Sequence, residues 1–408
     1  MIKFLVEKIN DKKILIMGYG AEGKAVLKRL LEADTAQQID VFDKICPQLP
    51  EKVNYVEAPD FEAYDLIVKS PGIVLGDEFP FGKLTSMTQL FLEFYKNQTI
   101  GITGTKGKST TASMLYHVLK ENNVNAVLVG NIGVPAFDML EEIDKETTIV
   151  FEMSSHQLEY VKTSPNIAIY LNIYEEHLDH YGTFEKYQKA KENIYRFMTK
   201  EDMLICKKEL VPQNVNFKIA EIEPDIIQVP KEKLKIKGEH NLYNISAIYP
   251  ICKNKGISDK DFINSVCSFK GLAHRLEYAG CYDGIEFYDD SISTICQTAI
   301  EALKSLPETD TVILGGMDRG IDYTQLVEFL KESSVRNILL MYDTGKRIEK
   351  ILNDSRAVYV GDLESAVKRA KEVTKKGGVC LLSPAAASYG FFKSFEHRGD
   401  TFKELIKK

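Results

Sequence analysis

The chain has 408 residues, 44% of them hydrophobic and 27% charged, with a net charge of −7. That balance belongs to a globular protein of two or three domains and excludes long disordered tracts, collagen-like repeats and a general coat for nucleic acid. No apolar run approaches the ~20 residues of a membrane span, residues 1–8 are charged too early for a signal-peptide core, and seven dispersed cysteines without a CxxC pair point to reduced thiols in the cytoplasm rather than to zinc or disulfides.

In chain order, Lys13-Ile14-Leu15-Ile16-Met17 reads as a buried strand, followed by the turn Gly18-Tyr19-Gly20-Ala21-Glu22-Gly23 and a helix over residues 25–31. Residues 39–42 and 65–68 continue the strand–helix alternation, the first ending at Asp43 and the second running into Ser70-Pro71-Gly72. Polar Lys96-Asn97-Gln98 marks a boundary. A second α/β unit opens with a strand at 99–103 and continues with strands at 126–129, 148–151 and 167–171. A further boundary falls near residue 272, and strands at 311–314, 337–341 and 379–382 make a third unit. Three domains are therefore expected, 1–95, 96–272 and 273–408, each an α/β fold with a mostly parallel sheet.

Two glycine loops compete for the chemistry. Residues 18–23 satisfy GxGxxG between a strand and a helix, and Asp43 stands about 20 residues further on. Backbone amides and a helix N-terminus there receive phosphate while the acid takes ribose hydroxyls. A nicotinamide or flavin, another nucleotide, and a bare tight turn all fit this motif. Gly104-Thr105-Lys106-Gly107-Lys108-Ser109 also follows a strand and opens a helix at Thr110. It lacks the outer glycine of the strict P-loop, since residue 102 is Ile. The mechanics survive: amides cradle phosphates, Lys108 reaches the β/γ-phosphates and the Ser109 hydroxyl can ligate Mg²⁺. A dehydrogenase needs the first loop and leaves the second surplus. A phosphate-transfer enzyme needs the second and leaves the first for a nucleotide-bearing substrate.

Glu152 ends an apolar strand in Phe151-Glu152-Met153-Ser154-Ser155, the place where α/β sheets put ligands, and a carboxylate there can bind Mg²⁺ or simply face solvent. His177, after the next strand, is a metal-ligand candidate or an ordinary loop histidine. The helix expected over residues 184–198 carries the oddity of the chain. Its apolar stripe runs through Phe184, Tyr187, Ile194 or Tyr195, and Met198, and Lys191 falls on it. A buried ammonium is costly, so Lys191 either snorkels or is modified or bound in a site. Asn241 and Asn244 share a helix face, suited to base or ribose hydrogen bonds or to capping. Arg275 of His274-Arg275 and Asp290 of Asp289-Asp290-Ser291 offer a cation for phosphate and an acceptor, or surface ion pairs.

These residues, taken together, resemble the Mur ligases, ATP-dependent amino-acid ligases of peptidoglycan synthesis. The matching segments are residues 18–23, 70–72, 104–109, 130–135, 152–155, 177, 191, 240–244, 274–275, 290–291 and 383–398, in family order over nearly the whole chain. The resemblance implies an N-terminal Rossmann-like domain for the UDP moiety, a central P-loop ATPase-like domain and a C-terminal Rossmann-like domain for the incoming amino acid. It also implies addition of D-glutamate to UDP-N-acetylmuramoyl-L-alanine through an acyl phosphate, by a cytoplasmic monomer that meets neither nucleic acid nor membrane.

Residue by residue, the resemblance makes Gly104, Thr105, Lys106, Gly107, Lys108, Ser109, Thr110, Asn244, Arg275 and Asp290 the ATP contacts. Ser109 and Glu152 would hold one Mg²⁺, and His177 with a carbamylated Lys191 a second. Lys108, Glu152, His177 and Lys191 would form the catalytic set. Ala21, Glu22, Asp43, Gly72, Asn131 and Ser154 would contact the UDP-substrate, and Thr294, Arg319, Ser388 and Phe395 the D-glutamate. The chain departs from the family pattern at Ile292 and Arg319, where some relatives have Lys. It also departs at Tyr174 and Glu176 before His177, and at Glu22, whose charge would repel a diphosphate unless turned away. A sister ligase for another amino acid and a folate-type glutamate ligase are the neighbouring alternatives. A nicotinamide dehydrogenase leaves Lys108, Glu152 and Lys191 without roles, and a P-loop regulator leaves the third unit unexplained.

Overall fold

Short apolar strands separated by amphipathic helices require crossover connections, and crossovers make neighbouring strands parallel. The computed structural model describes residues Met1–Lys408 apart from Asp77, Ile132, Gly133, Lys237 and the side chain of Asp179. Three sheets lie among the described residues, one for each run of alternating elements in the sequence. Part of the expected 130–135 segment falls on residues outside that description.

The first sheet is parallel throughout, in the order β3-β2-β1-β4-β5. Its strands are β1 (Lys13–Met17), β2 (Gln38–Phe42), β3 (Asn54–Tyr55), β4 (Leu66–Lys69) and β5 (Leu84–Thr85), with helices α1 (Ile2–Ile9), α2 (Ala21–Ala33) and α3 (Met87–Tyr95). The α2 helix starts at Ala21, inside the glycine motif, rather than at the expected residue 25. The missing side chain of Gly20 at its N-cap and Gly23 in its first turn let the chain close directly from loop to helix.

The second sheet has the order β11-β10-β9-β6-β8-β7, again parallel. Its strands are β6 (Thr99–Thr103), β7 (Ala126–Gly130), β8 (Thr148–Glu152), β9 (Ile167–Tyr170), β10 (Met203–Cys206) and β11 (Lys218–Glu221). Helices α4 (Lys108–Glu121), α5 (Ser155–Leu158), α6 (Leu178–Tyr181) and α7 (Phe184–Arg196) accompany it, followed by α8 (His240–Asn254) and α9 (Asp259–Ser268). Strand β6 lies between β8 and β9, so connections leave it in both directions. The crevice beyond its carboxyl end is where an α/β sheet takes a ligand, and the 104–109 loop starts there. One apolar core, including Val26, Leu30 and Phe91 of the first run and Phe137, Phe151 and Leu204 of the second, joins the two sheets. They form one compact unit, Met1–Gln228 with Leu242–Ser265.

The other unit is Val229–Asn241 with Val266–Lys408. Its sheet runs β12-β13-β17-β14-β15-β16 and is parallel except for the β12–β13 pair. The strands are β12 (Glu277–Tyr282), β13 (Ile285–Asp289), β14 (Thr309–Leu314), β15 (Asn337–Met341), β16 (Ala357–Gly361) and β17 (Val379–Leu382). Helices α10 (Cys296–Ser305), α11 (Thr324–Glu332) and α12 (Tyr342–Leu352) cover one face around Leu314, Leu326 and Ile348. Helices α13 (Leu363–Val373) and α14 (Phe395–Leu405) cover the other around Ile313, Val367 and Phe402. The two sheet-edge strands β12 and β16 were not anticipated. Both are only half-buried, so they lack the continuous apolar run that marks a central parallel strand.

Candidate active site

The β6–α4 loop is held as a cradle by side chains from the strand next door. Thr103 Oγ1 donates to Met153 O at 2.7 Å. Asn172, just past β9, accepts the Thr105 amide on its backbone oxygen at 3.0 Å and the Lys106 amide on Oδ1 at 2.9 Å, and its Nδ2 donates to Lys106 O at 3.0 Å. Thr105 Oγ1 lies 3.0 Å from the Tyr187 hydroxyl of α7. Gly107 turns the chain into α4 with φ 85°, and a side chain there would meet Asn244 Oδ1 at 2.9 Å, so the glycine is needed for conformation and for space. Lys108 opens α4 and folds back across the loop, donating to Gly104 O at 2.9 Å and Thr105 O at 3.0 Å. The N-terminus of α4 and a lysine thus meet at one glycine loop, the arrangement that binds polyphosphate.

Glu152 closes one side of it. Its side chain is completely buried. Oε1 accepts from Ser109 Oγ at 3.1 Å and from Asn131 Nδ2 at 3.0 Å, while Oε2 is buried with no hydrogen-bond partner among the described residues. An unpaired oxygen on a buried carboxylate is expensive. Beside a serine hydroxyl on a phosphate loop, it has the donor chemistry of a hard divalent cation site. Lys191 forms the other side. It is 1% exposed, donates to Gly104 O at 2.8 Å and lies 4.9 Å from the Tyr187 ring centroid. Burial, and then the nearby Lys108 charge, push its ammonium pKa down to about 7. The amine does not snorkel: it is aimed at the phosphate loop.

His177 is exposed and caps α6 with a left-handed backbone, φ 57°. Its ring meets the His156 ring at 4.9 Å and the Tyr187 ring at 6.0 Å. Burial, then the His180 and His177 charges, lower the His156 pKa to about 4. Glu176, one of the departures, accepts from Lys106 Nζ at 2.8 Å. Burial opposes its ionisation, but the Lys106 contact holds its carboxyl below the usual range.

At the first glycine loop, Asp43 accepts the Tyr19 and Lys44 amides, each at 2.6 Å, and Ser70 Oγ donates to Gly18 O at 2.8 Å. Ala21 and Gly72 are exposed beside this knot. Glu22 turns toward the second sheet, where Gln157 Nε2 donates to its Oε1 at 2.6 Å. Ser154 caps α5, its Oγ accepting the Gln157 amide at 3.2 Å.

In the other unit, three loops meet at the carboxyl ends of β13, β14 and β17. Asp290 is 3% exposed and accepts from Ser383 Oγ at 2.7 Å and the Leu276 amide at 3.2 Å, and burial raises its carboxyl pKa to about 7. Arg319 Nη2 donates to Thr294 O at 3.1 Å, and the Met317 amide to Ala387 O at 2.9 Å, next to Ser388. Arg398, fully buried, donates to Ser291 O at 2.8 Å, Ser291 Oγ at 2.9 Å and Ala386 O at 3.0 Å, while Ser291 Oγ donates to Phe395 O at 2.8 Å. Arg275 is exposed and makes no ion pair among the described residues. Thr294, Arg319, Ser388 and Phe395 therefore share one end of the sheet. The sequence did not single out Asn172, Tyr187 or Arg398 as positioning groups. Tyr187 carried a signal, since it lies on the Lys191 face of α7.

A phosphate cradle, a buried acid with a free oxygen and a buried amine define a nucleotide-dependent phosphoryl-transfer enzyme. A model of the Mur ligase middle domain matches residues 102–227. The UDP-N-acetylmuramoylalanine–D-glutamate ligase of Aquifex aeolicus is 34% identical over 97% of this chain and 98% of the relative. The enzyme of the same name from Oenococcus oeni is 32% identical over 98% and 97%. Among solved structures, the UDP-N-acetylmuramate–alanine ligase of Thermotoga maritima superposes with a TM-score of 0.57 at 20% identity, covering 97% of this chain and 99% of that one. The MurF ligase of the same organism, in complex with ADP, gives 0.57 at 17% identity over 100% and 99%. The chain belongs to the Mur ligase family of ATP-dependent ligases, in the branch of the UDP-N-acetylmuramoylalanine–D-glutamate ligases.

Proposed function

We propose that the protein joins D-glutamate to UDP-N-acetylmuramoyl-L-alanine at the expense of ATP, a step of peptidoglycan precursor synthesis. The observation that carries this reading is the buried Glu152 carboxylate, shared between Ser109 and Asn131 on one oxygen and unpaired on the other, at the mouth of the phosphate loop. A carboxylate resists attack by an amine because oxide leaves poorly. The substrate carboxylate takes the γ-phosphoryl group of ATP and releases ADP. The D-glutamate amine then attacks the acyl carbon, and the tetrahedral species expels phosphate and leaves the amide.

In this reading Lys108 and the amides of residues 104–110 bind the phosphates, with Asn244, Arg275 and Asp290 on the rest of ATP. Ser109 and Glu152 would hold Mg²⁺, and His177 with Lys191 a second ion. Bound Mg²⁺ would neutralise the charge of the transferred phosphoryl group. Lys191 is suited to carbamylation. Near neutral pH a good share of its amine is uncharged, the form that attacks carbon dioxide, and the carbamate keeps one N–H for Gly104 O. Asn131 and Ser154 face the sugar side, and Ala21, Asp43 and Gly72 the uridine diphosphate. Thr294, Arg319, Ser388 and the backbone at Phe395 receive D-glutamate. We assign these roles to three segments, 1–95, 96–272 and 273–408, of a cytoplasmic monomer. No helix among the described residues is long and apolar enough to cross a membrane.

The test is phosphate release from ATP with each substrate withheld in turn. Release is expected only when UDP-N-acetylmuramoyl-L-alanine and D-glutamate are both present, with other amino acids failing to replace D-glutamate. Release requiring neither substrate sinks the reading.

A further inference from the structure

Glu22 presents a conflict that the proposed function does not resolve. It lies in the first turn of α2, directly after the glycine loop, where a diphosphate would meet backbone amides. A carboxylate in that turn suits the helix dipole and opposes the ligand. The structure shows how the side chain is held. Gln157 is 5% exposed, and its orientation is fixed at both ends of its amide. Oε1 accepts the Ser154 amide at 2.9 Å, so Nε2 is the donor and reaches Glu22 Oε1 at 2.6 Å. Glu22 Oε2 is buried without a partner among the described residues. One hydrogen bond and one orphan oxygen are poor accommodation for an anion, and burial costs a neutral acid less.

The surrounding charges do not change this. From the end of β4, Lys69 acts on Glu22 through space, but it is itself 4% exposed. It is engaged by Pro71 O at 3.1 Å and by Glu159 Oε2 at 3.6 Å, and Glu159 also meets His180 Nε2 at 3.1 Å. On α2 itself, Lys24 lies over the Tyr19 ring at 5.6 Å, and across the loop Asp43 is occupied by the Tyr19 amide. Gln157 is the contribution of α5. Among the described residues no cation forms an ion pair with Glu22.

We propose that Glu22 is a proton-linked positioning residue for the diphosphate-bearing substrate: it takes up one proton from solvent as that substrate binds and stays tied to Gln157 as a neutral acid. The inference rests on the assignment of the residue 18–23 loop to the UDP moiety. Desolvation already raises the Glu22 carboxyl to about 7 in the free protein, and a nearby dianion raises it further. The sign follows from linkage. The bound pKa exceeds the free one, so affinity is full and flat below about pH 7. Above it, affinity falls by up to about tenfold for each pH unit until the bound-state pKa is passed. The diphosphate of a UDP-sugar is a diester and the alanine carboxylate is a strong enough acid that neither titrates in this range. A proton taken up near pH 7.5 therefore belongs to the protein.

The experiment is calorimetric titration of the full chain with UDP-N-acetylmuramoyl-L-alanine, without ATP, in buffers of different ionisation enthalpy at pH 6, 7.5 and 8.5. The wild type is expected to take up a large fraction of one proton at pH 7.5 and to bind more weakly at pH 8.5 than at pH 6. Glu22→Gln keeps an acceptor for Gln157 and is expected to show no uptake and a flat affinity. Glu22→Ser, with no acid and no tether, must also lose the uptake. Equal uptake in the wild type and both variants overturns the proposal. Absence of binding by every protein instead overturns the substrate assignment, so the two failures are distinguishable.

Discussion

Lys191 carries the most information of any single residue. On sequence alone its place on the apolar stripe of a helix was compatible with a snorkelling stem. The structure buries it to 1% exposure with the amine on Gly104 O, 87 residues away in sequence. Burial and the neighbouring Lys108 ammonium make the site one where either a neutral amine or an anionic carbamate is easier to hold than a second cation. Lys191→Ala is expected to lower kcat by about 10²–10³-fold, the range for removing one preorganised electrostatic group. Formate or acetate should restore part of it by filling the vacated space with a carboxylate. Steady-state rates with and without the acid check this. A variant with unchanged kcat contradicts the role given to Lys191. Glu22 gives the complementary lesson. Its charge was visible in the sequence as a problem, but its solution was not, because Gln157 lies 135 residues away.

At the scale of elements, the strand ends decide the chemistry. Each of β6 and β8 has an apolar middle between a leading threonine and a terminal polar residue, Thr103 and Glu152, and short apolar runs of this kind were legible in the sequence. The loops between elements were less so. The end of β7 shows why. Gly130 has φ 109°, and a β-carbon there would sit 2.3 Å from Glu152 O and 2.6 Å from the Phe151 ring. The glycine therefore lets Asn131 approach the Glu152 side chain. Gly130→Ala is expected to cost about 3 kcal/mol, from positive φ and overpacking together, and to displace the Glu152 carboxylate. Urea denaturation measures the first and the Mg²⁺ dependence of turnover the second. An alanine variant as stable as the wild type would show that the strand end can relax without the glycine. The hairpin strand β12 and the edge strand β16 escaped notice for a different reason, since half-exposed strands carry mixed side chains.

At the scale of the whole molecule, the first two sheets share an apolar core and a polar clasp. Arg29 of α2 is 3% exposed, donates to Phe137 O at 2.9 Å and forms a bidentate pair with Glu141. The Arg29 guanidinium holds the Glu141 carboxyl down at about 2. The pair therefore stays ionised through the working range, and its contribution is lost only as pH falls through the carboxyl pKa. The third sheet stands in a separate compact unit, with two apolar cores of its own among the described residues. Arg29→Leu should lower the melting of the first unit and leave that of the second in place. Scanning calorimetry would resolve two transitions of which only one moves. A single transition that shifts as a whole would mean the two units unfold together.

Read alone, the amino-acid order determined the three α/β runs, the two glycine loops and the family, because these depend on local period, on glycine at tight turns and on motif order along the chain. The charge of −7 also excluded a protein that draws its anionic ligands by overall attraction, and the proposed function gives that task to Lys108, Arg275 and Arg319 locally. Only the tertiary structure decided which groups are paired and which are left over. Ser109 meets Glu152 across 43 residues, Lys191 meets Gly104 across 87 and Glu22 meets Gln157 across 135. The free oxygen of Glu152, the lowered Lys191 pKa and the tethered Glu22 all come from burial among such distant partners. Burial sets the cost of a charge, and that cost is a property of the packed chain rather than of any segment of it.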